Sequence, residues 1–146
     1  MHAMRALVMP AAVRRALVAH ARRDRPHECC GLLVGSGARV TFAVPARNVD
    51  ASPATRYRVD PRQQLDLQRV LRNVVPPLAI VGVYHSHPQS DAKPSASDVA
   101  EAYDDDWIYV IVGLRAHTAQ VRAFRIRGGR ARAVPIRSPR IRSGNR

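Results

Sequence analysis

The stretch Tyr84-His85-Ser86-His87-Pro88-Gln89-Ser90-Asp91-Ala92-Lys93-Pro94-Ser95-Ala96-Ser97-Asp98 follows directly on the apolar run Leu78-Ala79-Ile80-Val81-Gly82-Val83. That run is short, β-branched and preceded by Pro76-Pro77, so it reads as a buried strand. Residues i and i+2 of a strand project from one face, which lets His85 and His87 aim two imidazoles at one place. Pro88 ends the strand, and Ser95-x-x-Asp98 reads as the first turn of a helix that swings a carboxylate back toward the strand end. Two imidazoles, a carboxylate and a hydroxyl describe a three-ligand zinc site with one position left for water. Each half has a plainer reading. A His-x-His pair at a strand end is often only solvent-facing, and Ser-x-x-Asp is also a capping box. The four positions together favour the metal.

The spacing resembles the JAMM motif, His-x-His-x7-Ser-x-x-Asp, of the MPN-type zinc peptidases, and His85, His87, Ser95 and Asp98 meet it without a gap. The resemblance implies a single α/β (α+β) domain, cytidine-deaminase-like in layout, with one zinc per chain held by His85, His87 and Asp98. It assigns Ser95 to the water or the forming oxyanion. It also asks for an upstream glutamate in a context like Pro-x-Glu-x-Cys-Gly-x-Leu-x-Gly. Pro26-His27-Glu28-Cys29-Cys30-Gly31-Leu32-Leu33-Val34-Gly35 supplies it, so by resemblance Glu28 is the general acid/base. Read alone, Glu28 is a surface carboxylate at a strand start. His27-Glu28 does not extend to the His-Glu-x-x-His signature, because Gly31 stands where the second histidine belongs.

Length and composition agree with one domain. The chain has 146 residues, enough to bury a core, and its 46% hydrophobic content is that of a globular protein. The formal net charge is +13, and Lys93 is the only lysine among 24 basic residues. Such charge attracts nucleic acid, anionic membranes or acidic proteins without choosing among them. Nine arginines from Arg122 onward crowd the C-terminal quarter, but Phe124 is the only aromatic there, which disfavours single-strand stacking. The plain reading is a solvated strand face. A second is a basic surface that steers an acidic carrier protein, and a third is a nucleic-acid-associated or scaffolding MPN protein. The DNA-repair-associated relatives of the fold carry Ser-Gly-Asp after His-Pro, whereas this loop reads Gln89-Ser90-Asp91. No apolar run approaches a membrane span. Residues 1–23 hold no acidic group and superficially resemble a transit peptide, but Arg14-Arg15 interrupt any signal core. The adjacent Cys29 and Cys30 read as buried thiols suited to a reducing cytoplasm.

Along the chain, the pattern predicts a strand over Met4 to Met9. A helix follows from Pro10 to about Arg23, with Val13, Ala16, Leu17, His20 and Ala21 on its apolar face and His20 simply packed. A hairpin of Cys29 to Gly35 with Arg39 to Val44 comes next, then a loop over 45–56 and a short strand at Tyr57 to Val59. Asp60-Pro61 starts a second helix with Leu67, Val70, Leu71 and Val74 inward, stopped by Pro76-Pro77. A short helix from Ser95 to about Tyr103 leads through the polar loop Asp104-Asp105-Asp106 to the central strand Trp107 to Val112. His117 falls in a turn, and Thr118 to Ile126 and Arg130 to Ile136 form a last hairpin around Gly128-Gly129. The domain then spans 1–137, with a disordered basic tail at 138–146, and its sheet is mixed and largely antiparallel. The near-minimal length implies the small prokaryotic members of the family, including those that trim the C-terminus of ubiquitin-like sulfur-carrier proteins. Residues 56–72 resemble the cysteine-releasing type, from which Pro88 is a departure. An extended tail is expected to lie as a strand beside the site.

Overall fold

The strand that bears the histidines lies in the middle of the sheet. The structure is a computed structural model and describes residues 5–102 and 104–140. The chain order is β1 (Leu7–Val8), α1 (Ala11–Asp24), β2 (Cys30–Ser36), β3 (Arg39–Ala46), α2 (Pro61–Leu71), β4 (Ala79–His87), α3 (Ala96–Glu101), β5 (Ile108–Gly113), β6 (Gln120–Arg127), β7 (Arg130–Val134) and β8 (Ile136–Arg137). The sheet order is β7-β6-β5-β4-β2-β3-β1-β8. The β2–β3, β2–β4, β5–β6 and β6–β7 pairs are antiparallel, while β4–β5, β1–β3 and β1–β8 are parallel. The mixed, largely antiparallel α+β fold with three helices is the one the sequence implies. β7 and β8 stand at opposite ends of the order, yet only Pro135 separates them. Three consecutive residues span at most about 7 Å, so the sheet wraps until its ends meet.

Period-two alternation divides the core. Ile108, Val110 and Val112 of β5 join Leu33, Tyr84, Val121 and Ala123 under Val13, Leu17 and Ala21 of α1. Tyr109 and Ile111 face the other way, with Leu32, Val83, Phe124 and Ile126, where Leu67 of α2 and Val99 of α3 pack. β4 shares this division. Its Tyr84 points to α1 while Val83 belongs to the α2/α3 side, and His85, two residues on, lies on that side too. Because β4 and β5 run parallel, the chain must cross over the sheet between them, and that crossover carries α3 past the end of β4.

Several expectations shift. The first strand shrinks to Leu7–Val8, and Met4 lies outside the described residues. Ala16 is exposed and Val18 packs on the core instead, on the opposite flank of the stripe centred on Leu17. β3 continues to Ala46, and Asn48 bridges Val59, so the expected 45–56 loop is shorter and partly ordered as a ladder. α2 ends at Leu71, five residues before Pro76, where Asn73 and Val74 donate to the carbonyls of Val70 and Leu71 and tighten the last turn. Val70 is 63% exposed rather than inward. α3 ends at Glu101, and Tyr103 lies outside the described residues. Ile136 leaves the last hairpin and pairs with Leu7. Of the expected tail, 141–146 lie outside the described residues. An extended tail has no free edge of β4 to pair with, since β2 and β5 occupy both. Among the described residues no helix is long and apolar enough to cross a membrane.

Close backbone approach sets the loop after β4. A Cβ on Gly113 would stand 2.4 Å from the backbone nitrogen of Ala92, which is fully buried. Gly113→Ala is therefore expected to destabilise the fold by about 1–3 kcal/mol, read as a lowered urea midpoint with unchanged slope.

Candidate metal centre

β4 delivers His85 and His87 to its C-terminal end, and α3 brings Asp98 to the same point. His85 Nε2 lies 3.2 Å from His87 Nε2, and Asp98 Oδ2 lies 3.2 Å and 3.0 Å from the two nitrogens. All three residues are buried. His87 Nδ1 is 2.9 Å from the carbonyl of Asp91, which can only accept, so that nitrogen carries the hydrogen and Nε2 of the neutral ring presents a lone pair. Protons satisfy this arrangement only if His87 is charged and both Nε2–H groups crowd one oxygen. A single cation at the centre satisfies all three donors together. The donor set fits a divalent metal such as zinc, for which a tetrahedron of ligands has edges of about 3.3 Å, close to the three separations.

Asp98 holds its place through the helix cap. Ser95 N donates to Asp98 Oδ2 at 2.9 Å, and Asp98 N donates to Ser95 Oγ at 3.1 Å, a reciprocal capping box. The capping and ligand readings of Ser-x-x-Asp hold together, because Oδ2 faces the histidines while it accepts from the Ser95 amide. Ser95 Oγ also lies 3.1 Å from Ser97 Oγ.

Glu28 is the second carboxylate. One of its oxygens and one ring nitrogen from each of His85 and His87 all lie within 4.8 Å of one another. Glu28, His85 and His87 could thus hold a metal ion together, and Asp98 Oδ2 lies within 3.2 Å of both histidine nitrogens. Glu28 is 5% exposed, and its Oε1 has no hydrogen-bond partner. Among the described residues the only other such buried side-chain atom is Nδ1 of His85. Burial pushes the Glu28 carboxyl up to about 8, with Asp98 and Asp50 raising it and His87 opposing. Burial lowers His85. It would also lower His87, but the hydrogen bonds with Asp98 and Asp91 leave that ring raised. Burial would raise Asp98, yet bonds from both histidines hold it well below the usual carboxylate range. Burial pushes the thiols of Cys29 and Cys30 up to about 12, and both are free, so they stay protonated and inert.

Three supporting residues went unrecognised in the sequence. Tyr57 stacks on His85 with centroids 4.1 Å apart and planes at 15°. Asn48 Nδ2 donates to the carbonyls of Glu28 and Arg56, while its Oδ1 accepts from the amides of Asp50 and Arg58. Asn48 thereby fastens the whole 48–58 loop beside the glutamate. Ser86, between the histidines, faces the other side and accepts from the Cys29 amide at 2.8 Å, which fixes the start of β2 next to Glu28. Asn-x-Asp in a polar loop is a turn signal, but nothing local says that it grips a strand twenty residues earlier. Elsewhere the expectations hold. His20 is packed, with Nδ1 2.8 Å from the Tyr84 hydroxyl and Nε2 3.1 Å from Asp24. The Asp104–Asp106 loop binds arginines, its carbonyls accepting from Arg125 and Arg127.

A family model described as prokaryotic homologs of the JAB domain matches residues 10–127. The chain is 39% identical over 135 residues to the CysO-cysteine peptidase of Mycobacterium tuberculosis, covering 89% of both chains. It is 39% identical over 111 residues to the desampylase of Haloferax volcanii, covering 72% of this chain and 78% of that one. A protein of Desulfitobacterium hafniense solved in solution superposes with a TM-score of 0.79 at 31% identity, over 89% of this chain and 90% of its own.

The raised carboxyl of Glu28 has a consequence for metal-free protein. Between the model-compound value of 4.5 and about 8, the unfolded chain gives up a proton that the folded chain keeps, so stability falls as pH rises through that window. Glu28→Gln removes this loss. Its melting temperature relative to the parent, both in excess chelator, is expected to climb steadily from pH 5 to pH 8.

Proposed function

The chain belongs to the prokaryotic JAB-domain family and is a peptidase of the JAMM type, and we propose that it uses zinc to hydrolyse an amide bond at the C-terminal tail of a ubiquitin-like or sulfur-carrier protein. The observation that carries the zinc is the convergence of His85 Nε2, His87 Nε2 and Asp98 Oδ2 within 3.2 Å of one another, beside a buried glutamate. Support for the substrate comes from the two relatives named CysO-cysteine peptidase and desampylase.

His85, His87 and Asp98 would hold the metal, and zinc bound there would lower the pKa of a water and polarise the scissile carbonyl. Glu28 takes the proton of the attacking water on a carboxylate oxygen and passes it to the departing nitrogen. Its buried position, within 4.8 Å of the histidine nitrogens, suits that traffic. Ser95 donates its hydroxyl hydrogen to the oxygen on which negative charge develops, with Ser97 Oγ donating to it in turn. The Arg-rich β6–β7 surface steers an acidic carrier toward the site. We place the reaction in the cytoplasm, where the neighbouring free thiols of Cys29 and Cys30 stay reduced.

Native mass spectrometry and a tail-cleavage assay test this together. The parent is expected to carry one zinc and to lose it in His87→Ala. Glu28→Ala is expected to keep the zinc and lose at least about 100-fold in rate, the scale of general acid–base catalysis. Cleavage by Glu28→Ala at the parental rate would remove Glu28 from the mechanism.

A further inference from the structure

A cavity of about 520 Å³ adjoins the candidate metal centre. Asp50, Tyr57, Arg58, Val59, Val83 and Glu101 are among its lining residues. Two of them fix its position. Tyr57 stacks on His85, and Val83 lies two residues before His85 on the same face of β4. The cavity therefore opens beside one side of the metal-binding point.

Its charges are arranged unevenly. Glu101 is ion-paired with Arg56, a contact that also ties the 48–58 loop to the helix bearing Asp98. Arg58 has no such partner. Its backbone amide donates to Asn48 and its carbonyl accepts from Val49, but among the described residues its guanidinium makes no ion pair or hydrogen bond. Asp50 uses one oxygen to accept from the Ser52 amide and likewise makes no ion pair. Its amide donates to Asn48 Oδ1, and Asn48 Nδ2 donates to the Glu28 carbonyl, so it lies on the side of the cavity nearer Glu28. The lining thus includes an exposed arginine whose guanidinium has no partner among the described residues and, on the side held by Asn48, a carboxylate.

A guanidinium fork matches a carboxylate in shape and charge. In a peptide whose last residue is being removed, the α-carboxylate is two bonds from the scissile nitrogen. In an isopeptide, the leaving lysine side chain ends in a long methylene stem and brings no carboxylate near that nitrogen. Resting on the peptidase reading above, we propose that this cavity is the leaving-group subsite and that Arg58 anchors the free α-carboxylate of a single C-terminal residue. The water oxygen joins the carbonyl carbon and the C–N bond breaks. The tail keeps a new carboxylate, and the released residue departs as a zwitterion. Its ammonium faces Asp50 while its carboxylate stays on Arg58.

The test uses the full-length, zinc-loaded protein and three probes built on one tail sequence. One ends Gly-Gly-Ala as the free acid, one is the same peptide as the C-terminal amide, and one carries Gly-Gly in isopeptide linkage to the side chain of an internal lysine. The parent is expected to prefer the acid over the amide and over the isopeptide by about tenfold or more in kcat/KM, mostly through KM. Arg58→Gln is expected to bring the acid-to-amide ratio close to one, and Arg58→Lys to restore part of it. The ratio is independent of how much of each variant is folded. Equal cleavage of acid and amide by the parent, or an undiminished ratio in Arg58→Gln, would overturn the subsite and leave the peptidase reading standing. No cleavage of any probe would overturn both.

Discussion

Three donors aimed at one point from two elements, inside a buried pocket, form the constraint to which the rest of the molecule is fitted. Two imidazole nitrogens and a carboxylate oxygen stand 3.0 to 3.2 Å apart, and charge and lone-pair repulsion oppose that arrangement unless something positive sits between them. Holding it ready costs stability, and the molecule offsets that cost with fixed neighbours. Tyr57 covers one face of the His85 ring, the Asp91 carbonyl orients His87, and the helix cap orients Asp98. Each donor is placed by a contact that does not itself use the donor's lone pair toward the centre.

The sheet makes this placement possible. β4 is an interior strand, with His85 paired to both neighbours and His87 to β5, which fixes the spacing of the two rings. The parallel β4–β5 pair forces a crossover, and the crossover is where α3 begins. Glu28 arrives by the antiparallel β2, whose Cys30 pairs with His85, so the glutamate lies just beyond the strand end nearest the histidines. Four residues meet because three chain segments share one end of neighbouring strands.

Much of this was legible in the sequence for local reasons. His85 and His87 are read from a period of two, Asp98 from a four-residue cap, and the central strand from six apolar residues in a row. Glu28 was readable only through resemblance, because an isolated glutamate before a strand has no local signature. What stayed hidden was long-range. The grip of Asn48 on the Glu28 carbonyl, the stack of Tyr57 on His85 and the return of Ile136 to β1 are contacts across many residues between short or irregular segments, where periodicity carries no information. α2 shows the reverse case. Val70 fits an inward stripe by spacing, but the helix sits at the sheet margin and buries only the Leu67 and Leu71 side.

The most direct measurement is X-ray absorption at the zinc edge of the purified, zinc-loaded protein. The expected result is two imidazoles among only nitrogen and oxygen neighbours at about 2.0–2.1 Å, and no bound zinc to measure in His85→Ala. A sulfur shell at about 2.3 Å would move the metal to Cys29 and Cys30. It would leave the converged histidines without the cation around which the fold is explained.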